Sequence, residues 1–327
     1  MSACVFLGPT LAAAEATRIL DVTVLPPVRL GDVHRAVRRL RPRAIGIVDG
    51  YFQWTPAVWH KEILWAIAQG VHVFGAASMG ALRAAELAYF GMHAVGRIAE
   101  AYRAGRLHGI DDDPFEDDDE VAVVHGPPES GYRGVSEAMV NVRFTLARAE
   151  EEGLIARATR RALVAEAKAA FFPDRGYVSL LVQGRARGLP ECELAALERW
   201  LPSGRVDQKR RDAEAMLEAM RDLLATDPPP ARADVAFERT VYWERAEATF
   251  RRAAGPVLTA LRLDPGECER LGEDELREWY FARVAGTPVP ADLGEWTRIA
   301  GYADPDEFHR DAFAEYLRRT LTVVEHP

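Results

Sequence analysis

The feature that most constrains the fold is an alternation of short apolar runs with helical patterns over the first 80 residues. Apolar runs lie at residues 4–7, 22–25, 43–48 and 71–74, and each ends at glycine, proline or aspartate. The third run is apolar throughout after its arginine, as expected for a parallel strand that is buried on both faces. The sequence therefore predicts an α/β fold with a mostly parallel, doubly wound, Rossmann-like sheet.

A further apolar run at residues 121–124 predicts a fifth strand, which would end at His125. In a parallel sheet the loops that follow the strands share one edge, and ligands usually bind there. We therefore expect Thr10, Asp49, Ser78 and His125 to lie together at that edge.

After about residue 150 the pattern changes to successive helices, at residues 151–172, 191–201, 207–224 and, in pieces, 237–263. The prolines at positions 228–230 interrupt this series because proline cannot propagate a helix. We predict an α/β core domain over residues 1–150 and an all-helical region over residues 151–327, with a soft break near residues 225–233.

Charge and cysteine content exclude several classes of protein. Lysine and arginine number 41 against 50 acidic residues, and a net charge of -9 argues against a general affinity for nucleic acid or anionic membranes. Cys4, Cys192 and Cys268 are far apart and form no CxxC pair, which favours a reducing compartment. Neither a signal peptide nor an apolar run of about 18 residues is visible. We expect a cytoplasmic protein.

The pattern that most strongly indicates a reactive residue is the small-x-Ser-x-Gly form of residues 76–80, between a predicted strand and a predicted helix. This is the arrangement of a nucleophile elbow, although Ala76 stands where the usual pattern has glycine. The helix that follows would offer backbone N–H groups to an oxyanion. A serine that only caps its helix is an equal alternative. Ser78 is therefore a candidate nucleophile or anion-binding residue.

An activated serine needs a base, and that base needs an orienting acid. His125 and Asp49 follow neighbouring predicted strands and are the geometric candidates for these two roles. His60 lies near the start of a helix after Pro56 and is a second candidate base. A structural, hydrogen-bonding role remains the alternative for either histidine.

Residues around these candidates could contact a substrate. Arg83 and Glu86 form an i,i+3 pair on the Ser78 helix, where Arg83 could hold a carboxylate and the simpler role is helix support. Glu137 and Asn141 share a helix face at i,i+4 and could line a cleft, or belong to an ordinary amphipathic helix. The predicted substrate-binding residues are Gly8, Pro9, Thr10, Met79, Arg83, Glu86, Glu137 and Asn141.

Residues 111–120 are rich in acidic side chains that could attract a divalent cation. They lack the glycine and the distal glutamate of an EF-hand loop, so we interpret them as a solvated acidic loop and predict no metal site. Neither a Walker A loop nor a GxGxxG motif is present, and we predict no nucleotide cofactor.

Several stretches of the chain resemble the TfuA-like family. They are VFLGP at residues 5–9, LPP at 25–27 with GDV at 31–33, IGIVDGYF at 45–52, VWHKEILWA at 58–66, VFGAASMGALRAAEL at 73–87, DDEVAV at 118–123 and SEAMVNVR at 136–143. VDQKR at residues 206–210 is a weaker echo. The block at residues 73–87 is long and specific, and beyond about residue 228 we recognise no similarity.

The resemblance implies a partner of YcaO enzymes, which use ATP to replace a peptide backbone amide oxygen by sulfur in ribosomally made precursor peptides. It implies that this protein handles the sulfur, drawing sulfide from a thiocarboxylated, ThiS-like carrier protein. Two hypotheses follow. In the first, Ser78 with His125 or His60, oriented by Asp49, hydrolyses the thiocarboxylate. In the second, the same edge is a non-catalytic binding module that docks the carrier or activates YcaO. We expect the helical region to serve YcaO docking or self-association into a homo-oligomer.

Overall fold

A computed structural model describes residues 3–52, 55–110, 113–126, 130–232 and 236–252. Its contacts divide the chain after Glu247, and the sheet and the helices up to residue 225 belong to the unit Met1–Glu247. Among the described helices, none has the length and apolar character needed to cross a membrane.

The centre of this unit is a sheet of five strands, all of them parallel to their neighbours. The strands lie in the order β2-β1-β3-β4-β5, which confirms the predicted α/β fold with a Rossmann-like sheet. They are β1 (Ala3–Phe6), β2 (Thr23–Leu25), β3 (Ala44–Ile47), β4 (His72–Gly75) and β5 (His93–Ala94).

The fifth strand is not the one that the sequence predicts. Residues 122–124 form no strand, and His125 makes only an isolated antiparallel bridge with Gly134. Val121 is buried because it packs in a cluster with Ile98 and Phe144 of the neighbouring helices. An apolar run alone cannot distinguish a buried irregular segment from a buried strand, and the prediction of a strand at residues 121–124 is wrong.

Helices α1 to α4 connect the strands, α5 follows β5, and a series of helices follows residue 138. The described helices are α1 (Ala13–Ile19), α2 (Asp32–Leu40), α3 (His60–Ala68), α4 (Met79–Leu87), α5 (Arg97–Ala104), α6 (Met139–Glu151), α7 (Arg157–Ala169), α8 (Tyr177–Ala186), α9 (Glu191–Gly204), α10 (Gln208–Ala225) and α11 (Val241–Arg252). The predicted helical region is thus confirmed as far as residue 252, and residues 253–263 of the last predicted helix lie outside the described residues. The domain division at residue 150 stays a prediction.

Helix α10 comes from the helical region but packs on the sheet. Met216 and Met220 share one core cluster with Val5 and Phe74 of the strands. A Cβ on Gly46 of β3 would lie 2.7 Å from Met216 Cε, so the missing side chain lets α10 approach the sheet closely. Strand side chains that alternate to the opposite face, such as Ile45, are fully buried as well. Both faces of the sheet are therefore covered.

A second apolar cluster forms among the helices after the sheet. It joins α6 to α9 through residues such as Leu146, Leu163, Leu181 and Leu197. This cluster fixes α6, and α6 in turn contacts the start of α10.

The first turn of α4 lies directly against the end of β3. A Cβ on Gly80 would be 1.7 Å from the carbonyl oxygen of Ile47, and the Gly80 N–H donates to Val48 O at 3.1 Å. Only glycine at this position allows the contact, and the contact places Ser78 beside the end of β3.

We expect Gly80→Ala to lower the free energy of unfolding by at least about 2 kcal/mol, because backbone rather than a flexible side chain occupies the space. Gly134→Ala is the matched control, since a Cβ there meets nothing within 4 Å. It should change stability by no more than about 0.5 kcal/mol. Urea unfolding of both variants tests the packing, and equal losses would contradict it.

Candidate functional site

Asp49 joins the two loops that follow β1 and β3. Its Oδ2 accepts hydrogen bonds from the N–H groups of Gly8 and Thr10, at 2.8 and 3.1 Å. Thr10 Oγ1 donates to Oδ1 at 2.6 Å. The strand order reverses between β1 and β3, and crevices at such points usually bind ligands in open α/β sheets. The structure thus brings Asp49, Gly8 and Thr10 together at the predicted edge, with Pro9 between the two donors.

Ser78 occupies a constrained turn between β4 and α4. The preceding Ala77 has a φ of 67°, in the left-handed region that residues other than glycine seldom adopt. Although Ser78 directly precedes α4, its side chain makes no capping hydrogen bond to that helix. Its side chain is directed elsewhere, and only 2% of the residue is exposed. The geometry therefore does not support the alternative in which Ser78 only caps its helix.

The partner of Ser78 is Lys209, in the first turn of α10. Lys209 Nζ donates to Ser78 Oγ at 3.1 Å and to the carbonyl oxygen of Val121 at 2.8 Å. Lys209 is 3% exposed, and this burial lowers the pKa of its amine, while Asp49 and Asp207 oppose the shift. A buried amine with a lowered pKa can accept a proton from a neighbouring hydroxyl, which is the chemistry of a serine-lysine pair.

Sequence reasoning missed Lys209 because it confined the candidate reactive groups to the first 150 residues. A lysine on an amphipathic helix is usually solvated, and nothing in the local pattern shows that this one is buried. The only available signal was the VDQKR segment at residues 206–210, which includes Lys209.

The two predicted histidine bases lie elsewhere. His125 Nδ1 is 2.9 Å from the carbonyl oxygen of Gly126, and its ring packs between Tyr51 and Tyr132, with centroids 5.5 and 5.6 Å away. Among the described contacts, neither His125 nor His60 reaches Ser78, and the hydrogen-bond partner of Ser78 Oγ is Lys209.

His60 belongs to a group at the surface between α3 and α4. Its Nε2 lies 2.7 Å from Glu86 Oε2, and Arg83 Nη1 donates to the same oxygen at 2.8 Å. Arg83 Nε donates to the carbonyl oxygen of Val58 at 3.0 Å. Arg83 and Glu86 thus form the helix pair that the sequence predicts, and they also link α4 to α3. The Met79 side chain is buried, against Gly50.

Glu137 and Asn141, predicted to line a cleft, contact the segment that leads into α10. Glu137 Oε1 accepts from Arg205 at 3.0 Å, and burial raises the pKa of the Glu137 carboxyl. Asn141 Oδ1 accepts from the backbone N–H groups of Gln208 and Lys209. Both side chains therefore hold the chain on which Lys209 lies.

Two residues of the acidic stretch, Asp119 and Glu120, pair with basic side chains of the helices that follow. Glu120 is fully buried and accepts two hydrogen bonds from Arg143, both at 3.0 Å. Lys168 donates to Glu120 at 2.9 Å, and Arg175 binds both carboxylate oxygens of Asp119. The interpretation as a solvated loop is wrong for Asp119 and Glu120. These pairs hold the backbone beside Val121, whose carbonyl binds Lys209.

The described residues contain no group of three or more His, Cys, Asp or Glu side chains arranged to hold a metal ion.

Comparison with known proteins agrees with the resemblance read from the sequence. The family model described as "TfuA-like protein" matches residues 49–176. The match confirms the resemblance over these residues, which include Asp49, Ser78 and Asn141 and end before Lys209. No curated protein matches the chain.

We expect Glu120→Gln to lower the free energy of unfolding by about 3 kcal/mol, because it removes the buried negative charge that Arg143 and Lys168 bind. Glu198→Gln, which weakens an exposed pair with Arg185, should cost less than about 1 kcal/mol. Chemical denaturation of both variants gives the comparison. Similar small losses would show that the buried pair does not stabilise this segment.

Proposed function

Because a TfuA-like region contains the serine of a buried serine-lysine pair, we propose that the protein hydrolyses a thiocarboxylated ThiS-like carrier. The sulfide released would supply a YcaO enzyme in ATP-dependent peptide backbone thioamidation, with a ribosomal precursor peptide as the final acceptor. The observation that carries the proposal is the 3.1 Å hydrogen bond between Lys209 Nζ and Ser78 Oγ. The family resemblance supplies the substrate, and this geometry supports the chemistry.

In the first step neutral Lys209 accepts the proton of Ser78, and Ser78 Oγ attacks the carbonyl carbon of the thiocarboxylate. The burial of the amine favours its neutral form, which is the form that can act as a base. The Val121 carbonyl accepts one amine hydrogen and thereby orients the nitrogen toward Ser78.

The start of α4 is suited to stabilise the oxyanion that forms on the carbonyl oxygen. In the first turn, Gly80 N–H donates to Val48 O, and the Ala81 and Leu82 N–H groups donate to Ser78 O. The Met79 N–H, directly after Ser78, is the donor that we assign to the oxyanion. A backbone donor at a helix N-terminus adds the favourable field of the helix dipole.

In the second step the Lys209 ammonium returns its proton to sulfur as the carbon–sulfur bond breaks, which leaves an ester on Ser78. A water molecule gives a proton to Lys209 and attacks this ester, and Lys209 returns that proton to Ser78 as the carrier leaves as a carboxylic acid. The acid then gives its proton to the hydrosulfide. One thiocarboxylate and one water thus give one carboxylate and one hydrogen sulfide, and no redox partner is required.

The burial of Ser78 favours the binding module as a second candidate function. With 2% of the residue exposed, a carrier tail reaches the hydroxyl only if the site opens. A protein that only docks the carrier or activates YcaO would need no such opening. Incubating the purified protein with thiocarboxylated carrier, with and without YcaO, separates the two functions. Sulfide and carrier carboxylate form only if the site is catalytic.

We expect Ser78→Ala and Lys209→Met each to lower the rate of sulfide release on the order of 10³-fold, because each removes one member of a pair that acts as a unit. Circular dichroism and thermal unfolding serve as folding controls. His125→Ala and His60→Ala test the alternative bases. If a histidine variant loses sulfide release to this extent while Lys209→Met remains active, the base is that histidine.

The pH dependence should report Lys209. Its neutral form is the base, so kcat/KM for sulfide release should fall as the pH drops through the lowered pKa of the amine. The same acid limb should persist in His125→Ala. An acid limb that disappears with His125 would identify histidine as the titrating group.

A further inference from the structure

We propose that Asn141 is a positioning residue for Lys209, holding the first turn of α10 so that the amine meets Ser78. This inference rests on the proposed function and extends it to the residue that prepares the base. It differs from the role predicted from the sequence, in which Asn141 contacts substrate.

The Asn141 amide binds the beginning of α10 at three points. Its Oδ1 accepts from Gln208 N at 2.9 Å and from Lys209 N at 3.2 Å. Its Nδ2 donates to Asp207 Oδ1 at 3.0 Å, and the same oxygen accepts from Arg210 N at 3.0 Å. Two of the backbone N–H groups that a helix start leaves without an intrahelical partner are thus satisfied by a side chain of another helix.

Asn141 itself lies on a fixed element. Its neighbours Val140 and Val142 are buried in two different core clusters, one on each side of α6. The hydroxyl of Tyr177 also lies 3.5 Å from the Asn141 carbonyl oxygen. Because α6 is held in this way, the amide transmits a fixed position to the Lys209 backbone.

An amide suits this position because it is neutral. Lys209 lies in the first turn of an 18-residue helix, whose positive N-terminal end disfavours a second positive charge on the amine. Asp49 and Asp207 act in the opposite direction and favour the charged amine. Asn141 orders the helix start without adding a third negative charge, and so keeps the amine available as a base.

The surroundings of the amine are otherwise paired. Asp49 is bound by Gly8 and Thr10, and Glu120 beside Val121 is bound by Arg143 and Lys168. A change at Asn141 alters the Lys209 backbone and the hydrogen bond to Asp207 Oδ1, while it leaves the pairs of Asp49 and Glu120 in place. The experiment therefore follows both the titration of Lys209 and kcat, because Asp207 also acts on the titration.

The test compares Asn141→Ala and Asn141→Asp with Glu214→Gln, which weakens a half-buried pair between Arg210 and Glu214 on the same helix. The titration of Lys209 is followed by NMR with 13Cε-labelled lysine, assigned by its loss in Lys209→Met. The pH profile of sulfide release is recorded in parallel.

Asn141→Ala should lose about 10-fold or more in kcat above the acid limb, because the amine no longer keeps its position. Its Lys209 should titrate at higher pH as the helix start frays and water enters. Asn141→Asp keeps an acceptor for both N–H groups, so kcat above the limb should recover toward wild type. Its added charge should still move the acid limb to higher pH. Glu214→Gln should match wild type in both readouts.

A Lys209 titration unchanged in both Asn141→Ala and Asn141→Asp overturns the inference, whatever the activity. If the wild-type protein shows no Lys209-dependent sulfide release, the proposed function fails, and the NMR titration still decides the role of Asn141. The second variant keeps the test valid should Asn141→Ala not fold.

Discussion

The burial of one amine, Lys209 Nζ, is the constraint on which the rest of the site depends. An ammonium group in this position would be poorly solvated, because among the described residues the amine has the Ser78 hydroxyl and the Val121 carbonyl as its hydrogen-bond partners. Such a position is stable only if the helix that carries it is held firmly. The close approach of α10 to β3 at Gly46 and the binding of its first turn by Asn141 provide that support.

The site brings together segments that are far apart in the chain, because the carboxyl ends of the parallel strands lie at the same edge of the sheet. The loops after β1 and β3 are joined by Asp49, and the turn after β4 carries Ser78. Val121, directly after the acidic stretch, contributes a backbone carbonyl beside the Glu120–Arg143 pair, and α10 contributes the amine. A sheet that is covered on both faces gives this edge a rigid support, which the proposed catalytic pair requires.

The sequence predicts the parts of this arrangement that depend on local pattern. Continuous apolar runs that end at glycine, proline or aspartate predict β1 to β4 correctly, and the same punctuation places Ser78 and Asp49 at the edge. The prediction of strands from apolar runs misses β5, a strand of two residues at the margin of the sheet. It is also wrong for residues 121–124, where Val121 is buried against α5 and α6. Lys209 and the support from Asn141 cannot be read locally, because both depend on how α10 packs. The assignment of His125 as base is still a prediction, although the structure pairs Ser78 with a lysine.

Covalent labelling by methanesulfonyl fluoride, a small reagent for activated serines, tests the Ser78–Lys209 pair most directly. The modified residue is located by tandem mass spectrometry in the presence and absence of YcaO. The account predicts modification at Ser78, a rate that rises with pH as Lys209 loses its proton, and no modification in Lys209→Met. Equal labelling of Ser78 in Lys209→Met, or loss of sulfide release while Ser78 stays unmodified, would contradict it.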